Sequence, residues 1–304
     1  MTGMLITMPL QADETKKETQ QLSKAQIAKM AANPLSYLWM LATQYDYIQM
    51  DGDVNGADKL RIDRFTMMPI MPMQLTESTK LVFRPWLPLF GAKLPYRNMD
   101  NLKYNGATLD PGDIGNPDNW RITGTDYHGG MGDVGFWAAL TSNEGASPPF
   151  VWGAGITTMF DTASRDQFGT GKNAAGPMGV AFYFSDRWIV GAIAQHWVAY
   201  SGDSDRRHVS LTDVQYVLRY RINEETYIGM APNMQYNWVT NDYLLPVGGG
   251  GDTIVKLGRL PVKVGAEIYY YAKHGPDAIH NDWQFRVFII PILPSPAWSH
   301  KPIF

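Results

Sequence analysis

The segment from Val262 to Ile290 contains two long stretches in which apolar and polar side chains alternate. Every second residue is apolar from Val262 to Tyr270, and the pattern resumes from Trp283 to Ile289 after a polar turn. A period of two is that of a β-strand, whose side chains point alternately to the two faces of a sheet. Each stretch therefore has one apolar face, which must be covered by a protein core or by a membrane.

The same period recurs throughout the chain after Pro34 and predicts about twelve strands. They span roughly 35–50, 60–72, 79–90, 131–141, 150–161, 176–185, 187–200, 208–221, 225–238, 252–259, 261–272 and 283–292. Strands of soluble sheets usually have about five or six residues. A tilted strand needs about 9–11 residues to cross a bilayer, so the lengths favour membrane crossing.

The connections between these strands alternate between long and short. Gly91 to Gly130 and Thr162 to Ala175 are long, whereas Asp186 and Leu260 mark tight turns. The four glycines at 248–251 are interpreted as a loop tip. Transmembrane barrels have long external loops and short periplasmic turns, and a periplasmic N-terminus places every long connection outside.

A closed barrel follows from the hydrogen-bonding needs of the backbone. In hydrocarbon, an open sheet edge would leave N–H and C=O groups unpaired at several kcal/mol each, and closure removes the edges. Tyr and Trp near strand ends, such as Trp152 and Trp238, would form girdles at the membrane interfaces. We therefore expect an all-β fold, a transmembrane antiparallel β-barrel of about 12 strands, in the outer membrane.

The two ends of the chain differ from this pattern. We interpret residues 1–12 as the remnant of a signal peptide, although they lack a basic start, or alternatively as a flexible N-terminal tail. We expect 13–34 to form a helical periplasmic segment that Pro34 ends. The barrel is assigned to 35–292 and a C-terminal tail to 293–304.

Composition excludes several function classes. The formal net charge of −3 and the lack of a basic stripe argue against nucleic-acid binding. The sequence has no cysteine, which excludes disulfides, thiol catalysis and cysteine metal sites. No cofactor and no metal is expected.

Three segments resemble a single protein family. They are WIVGAIAQHWVAYSGDSDRRHVSLTDVQYVLRY (188–220), FVWGAGITTMFDTASRDQFGTGKNAAGPMGVA (150–181) and AANPLSYLWML (31–41). They are similar to bacterial outer-membrane barrels named as transporters of the meta pathway of phenol degradation. The resemblance covers most of 25–292 and implies an outer-membrane channel or uptake pore in a Gram-negative-type bacterium. The connection from Gly91 to Gly130 is longer than in such proteins, and the tail extends past the last strand.

Polar side chains on the inward parity of the strands are the candidate selectivity residues, because charge and width of a lumen decide what passes. They are Arg84, Trp86, Gln195, Gln215, Arg219, Arg221, Lys263, Glu267, Tyr269, Tyr271, Gln284 and Arg286. Tyr269 and Tyr271 add aromatic surface for a flat solute. Alternatively, these side chains pair with one another and fill the interior, as in small barrels.

Other motifs are weaker. DSDRRH (203–208) could bind a cation or lipopolysaccharide phosphates, but a solvated loop explains it as well. GTGKNAAG (169–176) lacks the spacing of a phosphate-binding loop, and DGDVNGAD (51–58) lacks the final Glu of a calcium loop. His196, with Ser201 or Ser210, could serve an outer-wall lipid hydrolase, but no nucleophile motif surrounds them.

The sequence thus predicts a non-enzymatic channel for passive passage of small, aromatic or hydrophobic solutes, gated by the connection from Gly91 to Gly130. Its partners would be membrane lipids, lipopolysaccharide and the small-molecule solute, with no nucleic acid. The alternatives are a closed structural or scaffold barrel and a lipid-acting enzyme.

Overall fold

The computed structural model describes residues 24–52, 56–95, 125–142, 149–274, 279–296 and 299. One α-helix, α1 (Lys24–Ala31), precedes the strands in this part of the chain. The strands are β1 (Trp39–Gly52), β2 (Arg61–Gln74), β3 (Thr79–Pro95), β4 (Thr125–Met131), β5 (Gly135–Ser142), β6 (Phe150–Met159), β7 (Lys172–Phe184), β8 (Trp188–Gly202), β9 (Ser210–Arg221), β10 (Thr226–Met230), β11 (Asn233–Asn237), β12 (Asp242–Leu257), β13 (Leu260–His274) and β14 (Ile279–Leu293). Over the described ranges, no helix is long and apolar enough to cross a membrane.

These strands form one closed antiparallel barrel. Apart from two interrupted positions, each strand pairs with its neighbour in the chain, and β1 pairs with β14 to close the sheet. Two barrel positions are interrupted: β4 and β5 both pair with β3, and β10 and β11 both lie between β9 and β12. Counting each interrupted pair once, the described residues contain twelve strands, which confirms the predicted fold class.

The two faces of the wall differ as the alternation predicts. On the outside of β14, Phe285, Val287 and Ile289 are each about half exposed, at 49%, 51% and 52%. On the inside of the same wall, Asp46 and Tyr269 are fully buried. The apolar face is therefore the exterior, and the polar face lines the interior. An outward-facing apolar band is the surface with which a transmembrane barrel contacts acyl chains.

The glycine run at 248–251 corrects the sequence interpretation, because it lies inside β12 and not at a loop tip. A Cβ on Gly250 would lie 2.0 Å from the carbonyl oxygen of Ala266, and one on Gly248 2.0 Å from that of Ile268. The backbones of β12 and β13 approach so closely that a side chain cannot fit, so glycine marks a packed strand here.

The two ends of the barrel can be distinguished by the chain termini. At the terminal end, Trp39 at the start of β1 pairs with Leu293 at the end of β14. At the far end, Gly52 pairs with Ile279. The predicted signal remnant at 1–12, residues 13–23 and most of the tail after 296 lie outside the described residues, and so does 96–124, the larger part of the predicted gating connection.

Candidate transport lumen

The terminal half of the lumen is filled by the segment that precedes the barrel. We call residues 24–38, which comprise α1 and the following turn, the N-terminal plug. Its Ile27, Met30, Leu35 and Leu38 are at most 4% exposed. They form one apolar cluster with inward-facing strand residues such as Val180. Sequence reasoning placed this helix in front of the barrel, whereas the apolar face of α1 is covered by the inside of the barrel wall.

A lysine of the barrel wall contacts this plug. Lys80 on β3 is 5% exposed, and its ammonium lies 3.9 Å from the ring centroid of Tyr37. Burial raises the pKa of the Tyr37 hydroxyl to about 12, so the phenol stays neutral and its ring faces the cation. A cation–π contact in a desolvated site contributes about 2 kcal/mol, which helps to hold the plug in place.

Beyond the plug, seven ionisable side chains form a continuous network that we call the charged belt. Its members are Arg64, Asp46, Arg286, Glu267, Arg219, Asp252 and Lys263. The belt contains four cations and three carboxylates, so it carries one positive charge in excess. It lines the inside of β2, β1, β14, β13, β12 and β9, about half of the wall.

Asp46 is the centre of the first half of the belt. Its Oδ2 accepts from Arg64 Nη2 at 2.9 Å, and its Oδ1 accepts from Arg286 Nε at 2.8 Å. The amides of Gln44 and Gln284 each donate to it at 2.7 Å. A fully buried carboxylate is stable only when it is paired and hydrogen-bonded in this way.

Arg219 is the centre of the second half. It donates to both Asp252 and Glu267, and Lys263 Nζ lies 3.1 Å from Asp252 Oδ1. Arg219 reaches Glu267 across Gly229 and Gly250, since these two residues lie between them in strand register. The glycine run of β12 therefore leaves space for an arginine to cross two strands.

The break between β10 and β11 anchors the belt to the backbone. The carbonyl of Ala231 accepts a hydrogen bond from Arg286 Nη1 at 3.1 Å, and the backbone N–H of Ala231 donates to the Tyr269 hydroxyl at 3.0 Å. Gln215 also donates to this carbonyl, at 3.2 Å. Pro232 follows Ala231 and cannot donate to a sheet ladder, so the break frees backbone groups that interior side chains then satisfy.

The opposite side of the lumen is aromatic. Arg84 lies beside Trp137, with its guanidinium carbon 5.8 Å from the indole centroid. Trp86, the next inward residue on β3, meets Trp197 of β8 edge to face at 6.1 Å. Gln195 accepts from the Thr157 hydroxyl at 2.8 Å. Arg84 and Trp86 are only partly buried.

The structure places all twelve sequence-predicted residues on strands with the inward parity. Arg219, Lys263, Glu267 and Arg286 meet in the charged belt, and Gln284 joins them through Asp46 and through the hydroxyl of Tyr271. Arg84, Trp86 and Gln195 lie on the aromatic side, and Arg221 lies at the terminal end of β9. Their role in selectivity remains a prediction.

Sequence reasoning missed three members of the belt and one neighbouring acid. Asp46, Arg64 and Asp252 complete the belt, and Asp213 accepts from the amides of Asn233 and Gln235 at 2.8 and 2.9 Å. Alternation would have found Asp46, which shares its inward parity with Gln44 and Ile48. The sequence pattern thus indicates that Asp46 faces inward, but it does not indicate that Asp46 pairs with Arg286, 240 residues away.

At the far end, the connection between β6 and β7 is folded onto the barrel. Asp133 accepts from the backbone N–H groups of Thr162, Ala163 and Thr170. Phe168 stacks on Phe90 at 5.4 Å. The carboxylate thus fixes this connection to the break between β4 and β5.

Residues of two weaker sequence motifs make hydrogen bonds to backbone carbonyls in the connections at this end of the barrel. Arg206 of DSDRRH donates to the carbonyls of Asp166 and Gly169, and Lys172 of GTGKNAAG donates to that of Asp203. Over the described ranges, no group of three or more acidic or histidine side chains is arranged to hold a metal ion.

His196 lies on the outside of the wall. Its Nδ1 is 2.8 Å from the hydroxyl of Thr212, and its ring meets Trp238 at 6.5 Å. Trp238 Nε1 also donates to Thr212, at 2.9 Å. The histidine is thus hydrogen-bonded to a threonine within an exterior aromatic cluster, and not to the serines suggested by the sequence.

Comparison with known proteins gives a fold and no closer relation. No family model and no curated protein matches the sequence. The structure is similar to an outer-membrane channel from Pseudomonas putida F1, with a TM-score of 0.58 and 9% identity over 85% of this chain and 96% of that one. A weaker likeness is to outer membrane phospholipase A from Escherichia coli, with a TM-score of 0.40 and 11% identity over 90% of this chain and 99% of that one. Another is to the toluene transporter TodX from Pseudomonas putida, with a TM-score of 0.36 and 9% identity over 88% of this chain and 92% of that one. The apolar exterior, the twelve-stranded closure and the first likeness together identify the fold as that of a Gram-negative outer-membrane β-barrel.

Proposed function

We propose that the chain is a passive outer-membrane channel for small solutes, whose lumen is closed at the terminal end by the N-terminal plug. The observation that carries this proposal is the composition of the interior. A charged belt lines one side, an arginine with three tryptophans lines the other, and Arg84 and Trp86 keep part of their surface exposed to the lumen. Polar groups around a lumen are how channels select by charge and width.

The plug is suited to act as a gate because it is held mainly by apolar packing. The side chains of Ile27, Ala28 and Met30 contact the wall within one apolar cluster. The plug precedes β1, so it contributes nothing to the closure between β1 and β14. Displacing it would open the terminal half of the lumen and leave the sheet paired.

The connection between β3 and β4 is a second element of the proposal. β3 ends at Pro95 and β4 begins at Thr125. The sequence between them is long enough to fold into the lumen at the far end of the barrel. Its role as a gate remains a prediction.

The class of solute is also part of the proposal. Aromatic or hydrophobic solutes are favoured by the tryptophans inside the barrel and by the sequence resemblance to phenol-pathway transporters. The alternative of a closed scaffold barrel predicts no conductance at all. Contact with membrane lipids follows from the exterior, and contact with lipopolysaccharide is proposed for the far-end connections.

The plug is tested by placing a charge on its buried face. In Ile27→Glu, an ionised carboxylate would be buried without a partner, at a cost of several kcal/mol, so the helix should leave the lumen. We expect a several-fold rise in single-channel conductance in planar bilayers and faster solute uptake into liposomes.

The matched control is Gln26→Glu, which adds the same carboxylate at an exposed position of the same helix and should leave conductance unchanged. If both variants and the unmodified protein show no conductance and no uptake, the channel proposal is wrong and the scaffold alternative is favoured.

A further inference from the structure

Arg84 lies inside the barrel without a carboxylate at ion-pair distance among the described residues, and the charge of Asp213 acts on it only from further away. Arg64, Arg219 and Arg286 each meet a carboxylate. Among the described residues, the side chain of Arg84 makes only one hydrogen bond, to the sulfur of Met68 at 3.1 Å. Thioether sulfur is a weak acceptor, so most of the donor capacity of this guanidinium is unused.

A second unused donor lies on the same side of the lumen. Trp197 is 6% exposed, and its indole Nε1 is buried without an acceptor among the described residues. Leaving a buried donor unpaired is unfavourable, and such groups in native proteins call for an explanation. Trp86 connects the two donors, since it follows Arg84 on the inner face of β3 and touches Trp197.

The surroundings of these donors are aromatic. Trp137 faces the guanidinium of Arg84, and Trp86 and Trp197 contact each other edge to face. Flat apolar rings pack well against indoles in offset or edge-to-face geometry. We call Arg84, Trp86, Trp137 and Trp197 the arginine–tryptophan site.

We propose that the arginine–tryptophan site binds an aromatic carboxylate in transit, an inference that rests on the channel function proposed above. Arg84 would pair with the carboxylate, Trp197 Nε1 would donate to the same group, and the indoles would pack on the ring. Arginine matches the planar carboxylate geometry. A cationic solute would be repelled, and an aromatic hydrocarbon would leave both donors unpaired.

The test compares benzoate with benzyl alcohol, which has the same ring without the charge. Calorimetric titration of the purified full-length protein in detergent should give saturable benzoate binding at least about tenfold tighter than that of benzyl alcohol, as expected for a charge-assisted hydrogen bond. Cyclohexanecarboxylate, which has the charge without the aromatic ring, should bind more weakly than benzoate.

Variants locate the binding in the barrel. Arg84→Gln should weaken benzoate binding by about tenfold or more and leave benzyl alcohol unchanged. Arg84→Lys should retain part of the affinity, and Trp197→Phe, which removes the indole donor, should weaken benzoate several-fold. The control Arg187→Gln removes an exposed arginine outside the lumen that donates to the Tyr220 hydroxyl, and should have no effect.

Equal affinity for benzoate and benzyl alcohol, or unchanged benzoate affinity in Arg84→Gln, overturns the proposal. Solute uptake into liposomes distinguishes the proposed binding site from the proposed channel function. Benzoate binding that depends on Arg84, without uptake of any solute by the unmodified protein or by Ile27→Glu, supports the site and refutes the channel. Uptake without preference for benzoate refutes the site and supports the channel.

Discussion

At the scale of single residues, the interior depends on Asp46. This fully buried carboxylate accepts hydrogen bonds from Arg64 and Arg286 and from the amides of Gln44 and Gln284. It is the one anion in contact with both arginines among the described residues. Removing one partner of a buried ion pair is costly because the other charge stays behind without compensation.

We therefore expect Asp46→Asn to lower the free energy of unfolding by about 3 kcal/mol, measured by urea titration in lipid vesicles. Asp51→Asn on the same strand is the control, because Asp51 is exposed and should change stability by less than about 0.5 kcal/mol. Equal stability of the two variants would show that the belt does not stabilise the fold.

At the scale of elements, β12 contains glycines that the packing of the neighbouring strands requires. Gly248 and Gly250 permit the close approach of β13, and Gly250 together with Gly229 opens the path from Arg219 to Glu267. A glycine run is usually interpreted as a turn. Here, the sheet needs these residues for packing.

Gly250→Ala should destabilise the barrel by about 1–3 kcal/mol, as is usual for overpacking, because its Cβ would lie 2.0 Å from the carbonyl oxygen of Ala266. The control is Gly179→Ala on β7, where an added Cβ meets nothing within 4 Å. Both variants are measured in the same vesicle unfolding assay. A neutral Gly250→Ala would mean that β12 and β13 are not packed as described.

At the scale of the whole molecule, the decisive feature is the solvent of the outer surface. The exterior of β14 is apolar and exposed, and the polar groups are directed inward. In a water-soluble protein, an exposed valine could be replaced by a charge with little effect. In a membrane barrel, the same change forces the charge into hydrocarbon.

Val287→Arg should therefore cost about 2–4 kcal/mol near the bilayer midplane, read from unfolding in vesicles. The control Glu224→Arg, at an exposed position between β9 and β10, should be neutral. If Val287→Arg were also neutral, the exterior band would not be in contact with lipid.

The alternation of side chains determined locally which face of each strand is apolar, because neighbouring side chains on a strand point in opposite directions whatever the rest of the chain does. Strand number, lipid-facing parity and the twelve inward candidates followed from that rule. Tertiary structure alone decided that α1 enters the lumen, that Asp46 meets Arg286, and that Arg84 has no ion-pair partner among the described residues. These depend on closure and register between strands far apart in sequence, and no local pattern specifies how a closed wall brings them together.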